Sequence, residues 1–267
     1  MVGPVSDVPL LRWGDAGSSG ADVAVTTRAG GVSKAPYDTL NLGLHVGDDA
    51  ADVVMNRERA ADAFGVGLGA LVFARQMHRA ATVLVGGADA GRGARVEDDA
   101  VADADVLVTA TTGMTLVILV ADCVPLALVD PVARVLAVVH AGWRGTAGGV
   151  VGAALDALGA VGGEAARVQA WVGPGVAAER YQVTDEVRDG LAGAVAPAAL
   201  DDCVARPDGP GHWLVDLAAA NRQQMRARGV SDERIYDCGV TTADDRLFSD
   251  RAARPCGRFA LLARLVD

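Results

Sequence analysis

The sequence is poor in the features that mark several common classes of partner. No Lys- or Arg-rich segment breaks an acidic background of 34 Asp and Glu against 24 Lys and Arg, a formal net charge of −10. A nucleic-acid polymer needs a basic stripe to neutralise its phosphates, so that partner is not expected, and any anionic substrate must be held by local arginines. No apolar run reaches the length of a membrane span, because Asp122, Pro125 and Asp130 punctuate the longest candidate. The opening residues, MVGPVSDVPLLRWGDAG, lack the basic start, long apolar core and small-residue cleavage site of a secretory signal, which predicts a cytoplasmic protein. CxxC and HxxxH pairs are missing, which excludes zinc ribbons and fingers. The four cysteines, Cys123, Cys203, Cys238 and Cys256, lie far apart and are expected as thiols in a reducing compartment.

What the chain does have is apolar content. Half of its 267 residues are hydrophobic, enough for a substantial core, and no linker divides it, so one domain over 1–267 is expected. Runs rich in Val, Leu and Thr and bounded by turn residues predict strands at 22–28, 71–78, 82–85, 105–110, 115–120, 126–129 and 136–140. Further strands are expected at 168–172, 234–238 and 259–265. A 3.6-residue apolar period predicts helices at 51–64, 146–158 and 217–228, and a weaker one at 184–194. The helix at 217–228 has Asp216 as its N-cap and Gly229 just past its end. The polar, glycine-rich segment 86–103 reads as a surface loop; its GGADAGRG lacks the spacing of a phosphate-cradling motif before a helix. Periodicity alone stops at a mixed α/β domain.

Three side chains suggest chemistry. Cys123 and His140 stand at the ends of two adjacent strand-like runs, and His78 closes a third. Two imidazoles and one thiolate can hold a zinc ion with one position open, the arrangement of a catalytic metal. Equally, Cys123 can be a buried small hydrophobe and the histidines hydrogen-bonded strand-end residues. Spacing does not choose between the two.

The motifs TTRAGGVS (26–33), YDTLNLGLHVGDD (37–49), RQMH (75–78), ADCVPLALVDP (121–131), HAGWRGTAGGVV (140–151) and VDLAAANRQQM (215–225) do carry a choice. In this order, from about residue 13 to 259, they resemble the YfiH/YlmD family. It is also called the laccase-domain or multicopper polyphenol oxidase-like family, and its bacterial members carry the names purine nucleoside phosphorylase and peptidoglycan editing factor. The resemblance implies an α+β fold, a four-layer α/β/β/α sandwich with mixed sheets, and a monomer. It implies that His78, Cys123 and His140 hold a single zinc, with copper as the competing metal for the same donors. Arg79 stands where the family usually has glycine after the histidine of RQMH.

The activity implied is phosphorolysis of adenosine, inosine, guanosine and methylthioadenosine, together with deamination of adenosine to inosine; the small-molecule partners are purine nucleosides and phosphate. On this reading Arg28 binds phosphate, helped by Ser33 and the amides of Gly30 and Gly31, and Asn41 and Gln76 bind ribose hydroxyls or base edges. Trp143 offers a face for stacking and Arg144 a second cation, although packing serves either equally well. His45 can supply a proton near neutral pH, or hydrogen-bond its turn. Asp122 precedes Cys123, but strand alternation points it the other way. His212 falls outside the motifs, on an expected surface loop. Near the C-terminus the family's FSYRR and TGR skeleton is kept in Phe248, Ser249, Arg251, Gly257 and Arg258, with Asp250 at the tyrosine position and Cys256 at the threonine.

Two other chemistries compete. A peptidoglycan-precursor editing hydrolase, amidase-like, would use Cys123 as nucleophile and His140 as base. A copper-dependent polyphenol oxidase would share the His-Cys-His donors, but a trinuclear cluster needs many more histidines than His45, His78, His140 and His212.

Overall fold

The computed structural model describes residues 8–13, 20–200 and 204–266; Cys203 lies outside them. A five-stranded mixed sheet has the order β1 (Leu10–Arg12), β2 (Ala21–Thr26), β14 (Phe259–Leu265), β6 (Thr115–Val120) and β3 (Leu71–Phe73). A six-stranded mixed sheet has the order β13 (Ile235–Asp237), β9 (Gln169–Val172), β7 (Val124–Asp130), β8 (Val135–Ala141), β5 (Val106–Thr109) and β4 (Thr82–Leu84). A parallel pair stands at one edge of the five-stranded sheet and at both edges of the six-stranded one, and antiparallel pairs make up the rest.

Side-chain alternation explains why these sheets stack. In β6, Leu116, Ile118 and Val120 pack into a core between the two sheets, and Val117 and Leu119 into a second core on the outer face. That outer face is covered by α1 (Ala50–Phe64), which contributes Ala60, Ala61 and Phe64. In β8, Leu136 and Val138 join the core between the sheets, whereas Ala137, Val139 and Ala141 face a third core. This one is closed by α3 (Val150–Ala160) and α6 (Leu217–Ala227). Three cores between four layers give the α/β/β/α sandwich. Strands buried on both faces read as continuous apolar runs, which is why the sequence shows runs rather than alternation.

The helix ends follow local chemistry. Asp49 caps α1 by accepting from Ala51 N, Gly65 leaves it at φ 79°, and Asp216 caps α6 through Ala219 N. Three expectations need correction. The helix expected at 146–158 is two: α2 (Trp143–Ala147) starts earlier, and Gly149, at φ 75°, breaks the chain before α3. The strand expected at 71–78 ends at Phe73, because Gln76 spends its side-chain amide where a backbone pair would stand, accepting from Leu119 N and donating to Leu119 O at 2.8 and 2.7 Å. His212 does not lie on a loop; it opens β12 (His212–Val215) in a small antiparallel sheet with β10 (Gln182–Thr184) and β11 (Ala205–Pro207). These short strands carry too little apolar pattern to be read from sequence. Two further helical pieces, α4 (Asp185–Ala192) and the turn α5 (Pro197–Ala199), lie beside this sheet in the chain. Among the described residues no helix is long and apolar enough to cross a membrane.

Asp130, fully buried at the end of β7, shows how the edges are tied. Its carboxylate accepts from the backbone N–H groups of Val132, Ala133 and Glu164 and pairs with Arg167. Burial alone would raise this carboxyl; Arg167 and the three amides outweigh it and hold the pKa at about 2. A folded value below the unfolded one stabilises the native state above pH 4 and loses that contribution as pH falls toward 2. Asp130→Asn is therefore expected to cost about 2 kcal/mol at pH 7, with the gap to the parent closing in denaturation curves taken between pH 4 and 2.

Candidate metal centre

The site begins with a buried carboxylate next to β5. Asp105 is wholly inaccessible, and its oxygens accept the backbone N–H groups of Met77 (3.1 Å), His78 (2.9 Å) and Arg79 (2.7 Å). They also lie 2.8 Å from Nδ1 of His140. The loop 77–79 is thus wrapped around one side chain, and His78 is held in the left-handed region at φ 57°, a conformation that costs a non-glycine residue about 1–2 kcal/mol. Burial works against the charge of Asp105, but His140 and the amides of Arg79 and His78 keep it below the usual carboxylate range. An ionised carboxylate keeps a proton on Nδ1 of His140 and aims Nε2 at the cluster. Against burial, Cys123 and Asp105 raise the imidazole, so Nε2 shares a proton with the sulfur and becomes a ligand atom once a metal displaces it.

The β7–β8 ladder brings the other ligand in. Pro125 pairs with His140 and Val124 with Ala141, so the register continued by one residue sets Cys123 opposite Gly142. Gly142 is needed there: a Cβ would stand 2.9 Å from Cys123 Sγ and 3.0 Å from His78 Cδ2. The rings of His78 and His140 meet edge to face with centroids 4.6 Å apart. Donor atoms of His78, Cys123 and His140 all lie within 4.8 Å of one another, and His140 is buried while His78 is exposed. The cluster therefore has a closed back and an open front. Burial pushes the Cys123 thiol up, but His140 and His78 prevail and bring it down to about 6, so the sulfur is available as a thiolate at neutral pH.

The front opens on a pocket of about 740 Å³. Gln76, Trp143, Tyr181, Arg144 and Arg251 are among the residues that line it, together with His45. Burial and the Cys123 charge push the Tyr181 hydroxyl up to about 12, so it stays protonated and can donate a hydrogen bond. The His45 ring reaches solvent but sits in a concave wall. Desolvation, then the charges of Arg258 and Arg57, push it down to about 4. At pH 7 it is a neutral imidazole, so it accepts a proton more readily than it supplies one.

Residues 22–266 match the sequence model of the family described as multi-copper polyphenol oxidoreductase laccase. The chain belongs to this family. It is 40% identical over 241 residues to a purine nucleoside phosphorylase of Streptomyces griseus, covering 90% of this chain and 92% of that one. The purine nucleoside phosphorylase YlmD of Geobacillus stearothermophilus is 39% identical over 251 residues, covering 89% and 87%. Of solved structures, YlmD from Geobacillus stearothermophilus superposes with a TM-score of 0.92 at 36% identity, covering 97% and 96%. Bacillus licheniformis YfiH gives 0.88 at 32%, covering 92% of each chain.

Several family-motif residues serve the scaffold. Arg28 does not line the pocket; it donates from Nε to the Asp38 carbonyl, pairs with the Asp38 carboxylate, and lies over the Phe248 ring. Ser33 is buried and accepts from Asn56. Asn41 bridges the backbone of Gly43 and Arg258 to the carboxylate of Asp48, which uses its whole amide. Gln76 reaches the pocket wall with both amide atoms on Leu119. The guanidinium of Arg144 covers the Trp143 ring at 4.3 Å, and Gly190 of α4 lets the helix approach the same ring. Asp122 ties the C-terminal segment down, accepting from Ser249 Oγ, Thr242 Oγ1 and Arg251 N. Arg79 contributes its backbone to Asp105, which is why a residue other than glycine fits there.

Asp105, Arg57 and Tyr181 were not anticipated, and the first two left a trace in the sequence. Asp105 is a charge set directly before the buried apolar run Val106, Leu107 and Val108 of β5. Arg57 falls on the apolar stripe of α1, with Val53, Ala60 and Phe64 at helical spacing around it. Since an Asp partner for a ligand histidine is worth roughly 10–100-fold in metal affinity, Asp105→Ala should weaken metal binding at this cluster by about that factor. Gly142→Ala should do so by displacing Cys123 and His78. Zinc competition against a chromogenic chelator measures both.

Proposed function

We propose that this protein is a zinc-dependent enzyme of purine nucleosides. In this reading it cleaves adenosine, inosine, guanosine and methylthioadenosine with phosphate, and it deaminates adenosine to inosine. The observation that carries the reading is the convergence of His78, Cys123 and His140 at the wall of an open pocket of nucleoside size. The sequence relatives named purine nucleoside phosphorylases supply the substrate class.

The donor set fits zinc: two imidazoles and a thiolate at neutral pH, with the fourth side facing the pocket. When bound, the ion supplies a Lewis acid at an open coordination position. The chain's own contribution is to deliver its ligands in the right form. Asp105 keeps the proton of His140 on Nδ1, and Gly142 leaves room for Cys123 and His78 to meet. In phosphorolysis an oxygen of the phosphate monoanion bonds to the anomeric carbon as the glycosidic C–N bond breaks, and the departing base takes the proton that the phosphate gives up. Tyr181 is placed to donate a hydrogen bond to ribose or base, and neutral His45 to accept one from a substrate hydroxyl. In deamination water adds at the purine C6 and ammonia leaves.

Polyphenol oxidation draws less support. Of the four histidines only His78 and His140 share a cluster, while His212 is exposed on β12 with its Nδ1 by the Pro210 carbonyl. That leaves no ligands for a trinuclear copper centre.

Metal analysis of the purified protein, alongside adenosine turnover with and without phosphate, tests the proposal. One zinc per chain, phosphate-dependent release of adenine and phosphate-independent formation of inosine are expected. In Cys123→Ala each activity should fall by about a hundredfold or more. Metal-loaded protein that forms no purine product would turn the reading toward hydrolysis of a peptidoglycan precursor.

A further inference from the structure

Phosphorolysis needs a place for an oxyanion, and Arg28 is not among the residues that line this pocket. The cations that do line it include Arg57 and Arg258, and both are built around one stretch of backbone. Arg57 donates from Nε to Leu42 O at 2.8 Å, while Leu42 N donates to Arg258 O at 3.0 Å. One residue on, Gly43 lets the Arg258 side chain cross the backbone: a Cβ there would stand 2.9 Å from Arg258 Cγ and 3.4 Å from His45 Cε1. Leu42, Gly43 and His45 therefore gather two guanidiniums and one uncharged imidazole on a single wall.

The state of these arginines is unusual. Arg57 is 3% exposed, and its Nε and Nη1 are spent on the carbonyls of Leu42, Gly93 and Ala94. Among the described residues its Nη2 makes no hydrogen bond, and no carboxylate pairs with it. A buried guanidinium with an unengaged nitrogen at a pocket wall is a donor without an acceptor. Arg258 uses Nη1 on the carbonyls of Cys256 and Gly257, but its Nη2 meets only Asp250 Oδ1, at a long 3.4 Å. The stronger partner of Asp250 is Arg254.

We infer that Arg57, Arg258 and His45 form a phosphate subsite of the pocket, and that Asp250 is its built-in competitor. This rests on the phosphorolytic reading above. An entering phosphate takes an N–H from Arg57 Nη2 and replaces the long Asp250 contact of Arg258 with a short charge-assisted bond. Asp250 keeps Arg254. Two cations with no full counterion also overcome the repulsion of a phosphate by a chain of net charge −10. The shared ligand chemistry is a phosphate group, from free inorganic phosphate or from the phosphoryl end of a nucleotide.

Calorimetric titration of the zinc-loaded full chain with inorganic phosphate, paired with the phosphate KM for adenosine cleavage, tests the subsite. Arg57 supports the fold through three carbonyls, so the variants of choice are Arg258→Gln and Asp250→Asn. Arg258→Gln is expected to weaken phosphate by about tenfold or more, and Asp250→Asn to tighten it about threefold. Phosphate affinity that both variants leave within about twofold, or that falls instead in Arg28→Gln, overturns the assignment. Adenosine monophosphate as second titrant separates the sources: binding tighter than inorganic phosphate and lost in Arg258→Gln assigns the wall to a nucleotide, and weaker binding assigns it to the free ion. If the variants shift phosphate as expected but the parent cleaves no nucleoside, the subsite stands and the phosphorolytic reading fails. Cleavage with a phosphate KM indifferent to both variants does the reverse.

Discussion

The carboxylate of Asp105 is the interaction on which the site depends. A buried, ionised carboxylate is costly unless it is fully hydrogen-bonded, and here four donors converge on it: three consecutive backbone amides and one imidazole. Those bonds do separate things at once. The amides hold a left-handed turn that no apolar packing would stabilise, and the turn aims His78. The imidazole bond fixes the tautomer of His140. Because Asp105 N and Val106 N share the Ala81 carbonyl and His140 N donates to Asp105 O, the carboxylate is itself anchored in the sheet. A ligand loop with no regular structure of its own thereby acquires the precision of a strand.

The layers supply the rest of the geometry. The β7–β8 pair lies at the centre of the six-stranded sheet, fully buried on both faces, so the ends of these strands are among the least movable points in the fold. Cys123 and His140 sit at those ends, on the side facing the core between the sheets, and the pocket opens where that core meets solvent. The C-terminal segment closes one wall, held there by Asp122 together with Leu247, Phe248 and Cys256 buried in the core between the sheets.

Electrostatics divides the molecule. Most arginines are spent on pairs with Asp and Glu at the surface, where each contributes little to stability. Three of those at the pocket differ in kind: Arg57 is buried among carbonyls, Arg144 lies on Trp143, and the carboxylate contact of Arg258, to Asp250, is long. An acidic protein thus gathers several cations in its pocket wall. The tyrosine-to-aspartate departure at position 250 gains meaning from this setting, since a carboxylate beside two arginines alters their availability as a phenol would not.

Composition and period determined much by themselves. Strand-like runs at 82–85, 115–120 and 259–265 and the capped helices over α1 and α6 were legible because apolar runs, Asp caps and terminal glycines act within a few residues of one another. The three donors, His78, Cys123 and His140, were legible from motif resemblance, though not from spacing, since 45 residues of chain separate the first two. What only the tertiary structure decided is the company each side chain keeps. Asn41, Ser33 and Gln76 look like ligand-binding amides and hydroxyls in a motif; the fold engages Gln76 with backbone, Asn41 with backbone and Asp48, and Ser33 with the Asn56 amide. Arg28 looks like the anion site, and Asp38 takes it. Asp105 and Arg57 carry no motif, yet they become decisive because the sheet register and the buried face of α1 bring them to loops distant in sequence. Hydrogen-bond partners and burial are set by contacts across the chain, and no local pattern encodes them.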